Sequence, residues 1–283
     1  DAVQVVHGEL ARQQERRQAG WPDARLEHWR QLLEGVPALA LPTDHGRPAQ
    51  SSGRGGVIEL KAAPDLLNRL RRWSRQEGVT LFVTLMAAFE VLLYRRSGQA
   101  DFAVGMPIAN RPTAEAEAIY GSFMNTAILR ADLGGQPSFR TLLHRVQAAA
   151  HAAYADQDLP FEKLAATLQP RRDLSYAPLF QVLCNGINLP LRVVRLAGLE
   201  WEPAPLHPGS AQVDLALHIA DTEYLQSVDL EYNADLFEPA TVERMLAEYA
   251  VLLAAILENP DCPIATLPLL PPAEQRLLAE WNA

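Results

Sequence analysis

Histidine side chains are the first candidates for chemistry in this sequence, because imidazole exchanges protons near neutral pH. The seven histidines are scattered and no two are adjacent: His7, His28, His45, His144, His151, His207 and His218. His144 and His151 lie two helical turns apart, but no acidic ligands accompany them, so surface or packed imidazoles are the better interpretation. We therefore predict no catalytic histidine and no metal site in these residues.

Sequence motifs for several other reactions are missing. The chain has no GxxxxGK[ST] or GxGxxG loop, no HExxH and no GxSxG. The glycines of GRGG at residues 53–56 precede no helix with a Lys-Ser/Thr pair, so phosphate binding is not predicted. Cys184 and Cys262 are too few for a disulfide framework and are predicted to be free thiols in a reducing cytoplasm.

Polar residues within two apolar segments point instead to a shaped site. Asn110 and Arg111 end an apolar run and precede proline. An arginine at the mouth of a sheet can pair with a buried carboxylate and orient it, although an ordinary loop end fits these residues equally well. Asn125 interrupts an apolar strand, so its amide must find partners or face a cavity.

Two further polar groups stand beside apolar elements. Gln157 and Asp158 come just before an aromatic-anchored helix start that carries proline near its first turn. Arg172, Asp173 and Ser175 crowd before a buried strand. Asp173 and Ser175 have an alternative structural interpretation, in which they satisfy backbone donors at a turn.

The apolar spacing predicts the elements that must position these residues. Helical spacing marks 79–96, with Gly98 just past its end, and also 142–153 and 242–256. Residues 10–33 are predicted to form two helices with a short break, the second around Trp29. Strands are predicted around 57–60, 101–108, 123–133 and 178–188, and VDLALHI and SVDLEYNADLF alternate on either side of a polar turn, as in a hairpin. The mixed order predicts a layered α/β fold whose sheet is not purely parallel.

Composition excludes some functions. The formal net charge of −9 and the pI near 5.3 argue against a nucleic-acid partner, which needs a basic face. No run approaches the ~20 apolar residues of a membrane span, and the N-terminus lacks a signal-peptide pattern. We expect a cytoplasmic protein without a membrane partner.

Three motifs occur in order: GxFxNT at 121–126, DQDxPFE at 156–162 and RDxSxxPLFQV at 172–182. They resemble the fifth, sixth and seventh core motifs of the condensation domains of nonribosomal peptide synthetases. LPTDHGRP at 41–48 and the text after Val213 match that family too, so the resemblance covers nearly the whole chain. It implies a chloramphenicol acetyltransferase-like lobe with a mixed β-sheet flanked by helices.

Such domains have two lobes around a tunnel, and join substrates that two peptidyl carrier proteins present as phosphopantetheine thioesters. The domain itself binds no cofactor. The histidine motif HHxxxDG of the N-terminal lobe is missing here. The resemblance therefore implies an acceptor-side C-terminal lobe that is inactive alone: 1–45 an inter-lobe helical segment and linker, 46–268 the lobe, and 269–283 the start of a linker toward an adenylation domain.

The resemblance also implies roles and partners. Arg111 would pair with the aspartate of the missing motif, whereas a second group would line the tunnel or hold its loops: Asn125, Gln157, Asp158, Arg172, Asp173 and Ser175. The partners would be the N-terminal lobe, the upstream and downstream carrier proteins and the adenylation domain. A crossing arm to the other lobe is expected either at 201–211 or in the hairpin between 213 and 232.

Two other functions stay open. Condensation-like domains without a working histidine motif can be non-catalytic platforms that recruit carrier proteins or tailoring enzymes. Related members catalyse ester formation, epimerisation or cyclodehydration, although the text around 179–188 and 213–219 looks more like peptide-forming members.

Overall fold

The computed structural model describes residues 23–63, 65–111, 114–117, 121, 123–168, 173–187, 206–222 and 226–281. Its helices are α1 (Asp23–Leu33), α2 (Leu66–Gln76), α3 (Leu81–Ser97), α4 (Ala114–Glu117), α5 (Phe139–Ala155), α6 (Phe161–Leu168), α7 (Pro239–Glu258) and α8 (Pro272–Trp281). The earlier of the two predicted N-terminal helices lies outside these residues. Among the described helices, none alone is long and apolar enough to span a bilayer, and α2 with α3 meet that test only as a pair bent by 106°.

Six strands form one mixed sheet in the order β1-β6-β5-β4-β2-β3. They are β1 (Gly55–Glu59), β2 (Asp101–Ile108), β3 (Asn125–Asp132), β4 (Val182–Ile187), β5 (Leu215–Asp221) and β6 (Gln226–Asn233). Strand β4 runs parallel to β2 and β5, whereas the other pairs are antiparallel. The predicted mixed sheet and the predicted β5–β6 hairpin are both confirmed.

Helices cover both faces of the sheet. Helix α3 packs against α5 and α7, and its Phe82 lies against Gly186 on one face of β4. On the opposite face Phe180 lies against Gly105 of β2, where a side chain at the glycine would collide with the ring. Phe180 also packs on Phe161 of α6, with ring centroids 5.5 Å apart. The mostly apolar strands are therefore buried from two sides.

Local signals explain the ends of α3. The Thr80 side chain accepts a hydrogen bond from the Val83 amide at 3.2 Å, which caps the first turn. Gly98 has a φ of 73° at the other end, a left-handed conformation that favours glycine. From Leu81 to Leu93 every residue except Phe82 is buried, because neighbouring helices and the sheet surround this part of α3.

Helices α2 and α8 were not predicted from the sequence. Helix α2 buries only the narrow stripe of Leu66, Leu70 and Ser74. One member of that stripe is polar, and its hydroxyl bonds the Leu70 carbonyl and the Thr84 hydroxyl, so hydrophobic periodicity alone gave little signal. Helix α8 falls within the segment predicted to begin a linker.

The segment after α1 is irregular, as predicted, and is held by side chains from distant elements. The Gln181 side chain accepts a hydrogen bond from the Leu39 amide at 2.7 Å. Asp44 accepts hydrogen bonds from the Glu238 amide at 2.8 Å and the Thr241 hydroxyl at 2.9 Å, at the start of α7. Trp29 and Leu39 belong to the buried core. The boundaries at 45 and 268 stay predictions.

The expected crossing arm lies partly outside the described residues, which begin again at 206. The Gly55 amide donates a hydrogen bond to the Gly209 carbonyl, and the Ala211 amide donates one to the Gly53 carbonyl, both at 3.0 Å. These contacts attach 209–211 to the sheet of the same chain, and the hairpin from 213 to 232 is part of that sheet. The described part of the segment therefore packs on the sheet of its own chain.

Candidate functional site

Asn125, the first residue of β3, holds the loop between α5 and α6. Its Nδ2 donates to the carbonyl oxygens of Gln157, at 2.9 Å, and Leu159. Its Oδ1 accepts from the Phe161 amide at 3.1 Å, the first amide of α6. The amide that interrupts an apolar strand has thus found partners, and it fixes the loop at 157–161.

Helix α1 holds the same loop from another direction. Arg25 donates to Asp156 and, at 2.9 Å, to Asp158, while the Trp29 indole donates to Asp156 at 2.8 Å. The Asp158 carboxylate is therefore ion-paired with the Arg25 guanidinium. The roles of Arg25, Trp29 and Asp156 were not predicted from the sequence, because no local pattern relates residues that are more than 120 positions apart.

Gln157 lies between these two aspartates and takes part through its main chain. Its carbonyl accepts from Asn125, and its amide donates to the Tyr154 carbonyl at 3.3 Å. Gln157 as a whole residue is half-buried.

Arg111 is bonded within the loop that follows β2. Its guanidinium donates to the carbonyls of Ala116 and Gly121, the latter at 2.7 Å, and lies over the Phe123 ring at 4.6 Å. Asn110 beside it has a φ of 51°, which turns the chain at the end of the strand. The predicted pairing of Arg111 with an aspartate of another lobe stays a prediction.

Asp173 and Ser175 form the turn that was the structural alternative. The Ser175 amide and hydroxyl both donate to Asp173 Oδ1, at 2.8 and 2.6 Å. The hydroxyl hydrogen bond, followed by the backbone one, lowers the pKa of Asp173. Arg172 lies outside the described residues.

Arg47 and Asp214 form an ion pair that the sequence analysis did not identify. Arg47 grips the buried Asp214 carboxylate with both terminal nitrogens, donates to the Ser175 carbonyl at 2.9 Å and lies 3.9 Å from the centre of the Tyr176 ring. Burial of Asp214 raises its pKa and outweighs the opposing hydrogen bonds from Arg47. This pair joins LPTDHGRP, the turn at 173–176 and the start of β5.

An open cleft of about 640 Å³ lies beside this turn. Its walls come from the end of α1, from Thr167 and Leu168 of α6, and from the segment that contains Asp173, Tyr176 and Gln181. The cleft places Asp173 and Tyr176, both in the RDxSxxPLFQV segment, next to solvent.

The carboxylate of Glu231 on β6 lies close to the imidazole rings of two histidines. His207 Nε2 lies 3.2 Å and His218 Nε2 3.5 Å from its Oε2. Burial raises the pKa of Glu231, but the interactions with His218 and His207 outweigh burial and hold that pKa below its ordinary value. Within the described part of the chain, no three histidine, cysteine or acidic side chains are arranged to hold a metal ion.

The contacts of the predicted site residues hold loops in place and supply no reactive group among the described residues. The predicted site residues divide into the Asn125, Gln157 and Asp158 cluster, the Asp173 and Ser175 turn, and Arg111 in its own loop. Aminolysis of a thioester needs help in removing a proton and in stabilising an oxyanion. Among the described residues, no histidine forms a hydrogen bond or an ion pair with any of these three groups.

Comparison with known proteins identifies the family. A family model described as the condensation domain matches residues 10–279. The chain is 45% identical over 266 residues to one of the linear gramicidin synthase polypeptides of Brevibacillus parabrevis, covering 92% of this chain and 3% of that protein. This chain therefore belongs to the condensation domain family.

Solved structures agree with this assignment in their fold. A four-domain nonribosomal peptide synthetase bound to AMP and glycine superposes with a TM-score of 0.82 at 22% identity, covering 92% of this chain and 21% of that one. The X-domain in complex with OxyB from teicoplanin biosynthesis gives 0.77 at 26% identity, covering 88% and 55%. The expected chloramphenicol acetyltransferase-like fold is confirmed. The chain spans only a small part of the length of the synthetase relatives.

Proposed function

We propose that this chain is the acceptor-side, C-terminal lobe of a condensation domain that joins carrier-bound aminoacyl or peptidyl thioesters. The proposal rests on a contact between two of the motifs. The Asn125 side chain of the GxFxNT motif hydrogen-bonds three backbone groups of the DQDxPFE loop: the carbonyls of Gln157 and Leu159 and the amide of Phe161. In the reaction, an amine attacks the thioester carbonyl, the C–N bond forms and the carrier thiol leaves.

The 283 residues contain no HHxxxDG motif, so we propose that they are inactive alone. The test is a mass-spectrometric assay with two loaded carrier proteins, run with the chain alone and with the chain joined to an N-terminal lobe. The expected result is dipeptide only in the second sample. Turnover by the chain alone would contradict the proposed division of labour, and no product from the joined domain would contradict the proposed reaction.

Arg111 is proposed to orient the aspartate of the histidine motif across the lobe boundary. Breaking a buried ion pair by removing one partner costs about 3–5 kcal/mol. In the joined domain, Arg111→Ala should therefore lower both the melting temperature and the rate, with Arg111→Lys retaining part of each. Wild-type behaviour of the alanine variant would remove the pairing role. From the family resemblance, we also propose that a further group of residues lines the tunnel or holds its loops: Asn125, Gln157, Asp158, Arg172, Asp173 and Ser175.

The proposed surroundings follow from the reaction. The partners are the N-terminal lobe, upstream and downstream carrier proteins and an adjacent adenylation domain, to which residues 269–283 begin the linker, and the compartment is the cytoplasm. Substrates arrive on phosphopantetheine, and the lobe itself holds no cofactor.

A second proposal is a non-catalytic platform. The similarity to an X-domain that was solved in complex with OxyB favours it. Reading the coding sequence upstream of Asp1 separates the two proposals. An intact HHxxxDG there supports catalysis, and its absence supports the platform.

A further inference from the structure

We propose that Asp156 is a positioning residue for the condensation reaction, because it fixes the DQDxPFE loop to helix α1. The inference rests on the proposed function, under which this loop shapes the substrate tunnel. It adds a residue to which the sequence analysis gave no role, its partners on α1 and the way in which they act.

The first step is how the Asp156 carboxylate is bound. Its Oδ1 accepts hydrogen bonds from two nitrogens of the Arg25 guanidinium, with Nε at 2.9 Å, and its Oδ2 accepts one from the Trp29 indole at 2.8 Å. Trp29 is 4% exposed, and its indole has no other donor. The Asp156 side chain is 24% exposed, so water screens its ion pair less than that of a fully exposed pair. The loop is therefore anchored to a core side chain as well as to a cation.

The second step is the alternation of contacts along the loop. The side chains of Asp156 and Asp158 accept hydrogen bonds from α1. The main chain of Gln157, and of the next two odd-numbered residues, is hydrogen-bonded by Asn125 of β3. Successive parts of the loop are thus held by two different elements. The loop keeps its path only while α1 and β3 keep their relative position.

The third step is a separate link between α1 and the sheet. Arg130 of β3 donates to the Leu32 carbonyl of α1 at 2.8 Å, and its guanidinium is also paired with Asp101 of β2. Helix α1 is therefore attached to the sheet near its C-terminal end and to the loop through Asp156. The sheet, α1 and the loop form a closed ring of contacts, and removing the Asp156 carboxylate opens that ring.

The fourth step relates this ring to the open cleft of about 640 Å³. One wall of the cleft contains Arg30 and Leu33 of α1, and another contains Thr167 and Leu168 of α6, the helix that follows the loop. Because Asp156 joins α1 to the loop that leads into α6, it controls the separation of these two walls. At a reaction site, a misplacement of about 1 Å can cost about 100-fold in rate.

Hydrogen exchange of the full chain tests the attachment itself. In Asp156→Asn the backbone amides of 157–164 should exchange about tenfold faster, whereas those of 142–153 in α5 should not change. Trp29→Phe, which removes the indole donor, should change the same amides in the same direction. Unchanged exchange of 157–164 in both variants overturns the inference.

A kinetic test uses the chain joined to its N-terminal lobe. Asp156→Asn keeps the size of the side chain and removes its charge, so kcat should fall about tenfold, with KM for the carrier-bound substrate within about twofold of wild type. Asp156→Glu keeps the carboxylate and should recover part of kcat. Asp65→Asn is the matched control, because Asp65 is exposed at the start of α2 and loses the same charge.

The outcomes separate positioning from stability and from the proposed function. A purely structural role lowers the melting temperature of Asp156→Asn and leaves kcat per folded molecule unchanged. A wild-type kcat for Asp156→Asn, or an equal loss in Asp65→Asn, therefore refutes the positioning role alone. A wild-type joined domain that forms no product refutes the proposed function, and the positioning role then fails with it.

Discussion

Glu90 should make the stability of this fold fall as pH rises. It lies in the middle of α3 with 1% of its surface exposed, and within the described part of the chain its Oε2 has no hydrogen-bond partner. Burial raises the pKa of Glu90 from an ordinary 4.5 to about 8. The buried thiol of Cys184 on β4 is near enough that the charge on Glu90, after burial itself, helps to raise the Cys184 pKa.

The sign follows from proton binding. Below pH 4.5 both the folded and unfolded chains keep this carboxyl protonated, so it does not affect stability. Between 4.5 and about 8 only the unfolded chain loses the proton. The free energy of unfolding therefore falls by about 1.4 kcal/mol per pH unit, or roughly 5 kcal/mol over the whole interval. Above pH 8 both states are ionised and the loss is complete.

Glu90→Gln removes the ionisation and keeps the shape. Relative to wild type it should gain about 3 kcal/mol between pH 5 and pH 7, as measured by urea unfolding followed by circular dichroism. Glu59→Gln is the control, because Glu59 is exposed on β1 and loses the same charge. A constant difference between Glu90→Gln and wild type from pH 5 to pH 8 would show that the carboxyl reaches water, and would refute the reasoning.

Three further substitutions test packing around the candidate site and core. Asn125→Leu should destabilise by about 2–4 kcal/mol in urea unfolding, because three loop groups lose their partner; wild-type stability would show that the loop is held otherwise. Arg47→Met should cost about 3–5 kcal/mol by leaving Asp214 unpaired, and adding Asp214→Asn should restore part of it in a double-mutant cycle; additive losses would contradict the pairing. Tyr249→Phe should lower the unfolding free energy by about 1–2 kcal/mol, because its hydroxyl donates to a buried carbonyl at 2.7 Å; no change in thermal or urea midpoints would contradict that bond.

Much of the architecture was accessible from the sequence because it depends on local periodicity. The apolar spacing in 79–96 predicts α3, and Gly98 predicts its end. The alternation of VDLALHI predicts β5 and its hairpin with β6. Helix α2 escaped prediction because a helix with a three-residue buried stripe looks like a polar segment until its partner surface is known.

The site was accessible only in part. The order of the three motifs sufficed to predict the family, and the position of Asn125 within an apolar strand predicted an amide that needs partners. The sequence did not show whether the Asn125 amide hydrogen-bonds other residues of the chain or faces a cavity. For Asp173 and Ser175, local spacing admitted both a site and a turn, and the structure has the turn.

What the sequence by itself determined is therefore most of the elements, their mixed order and the motifs, all of which follow from short-range spacing. Only the tertiary structure decided that Arg47 pairs with Asp214, 167 residues away, and that α1 holds the 156–158 loop. It also decided that Glu90 is surrounded on every side. A contact between distant residues depends on the path of the whole chain, and a buried charge is recognisable only when the elements that cover it are in place.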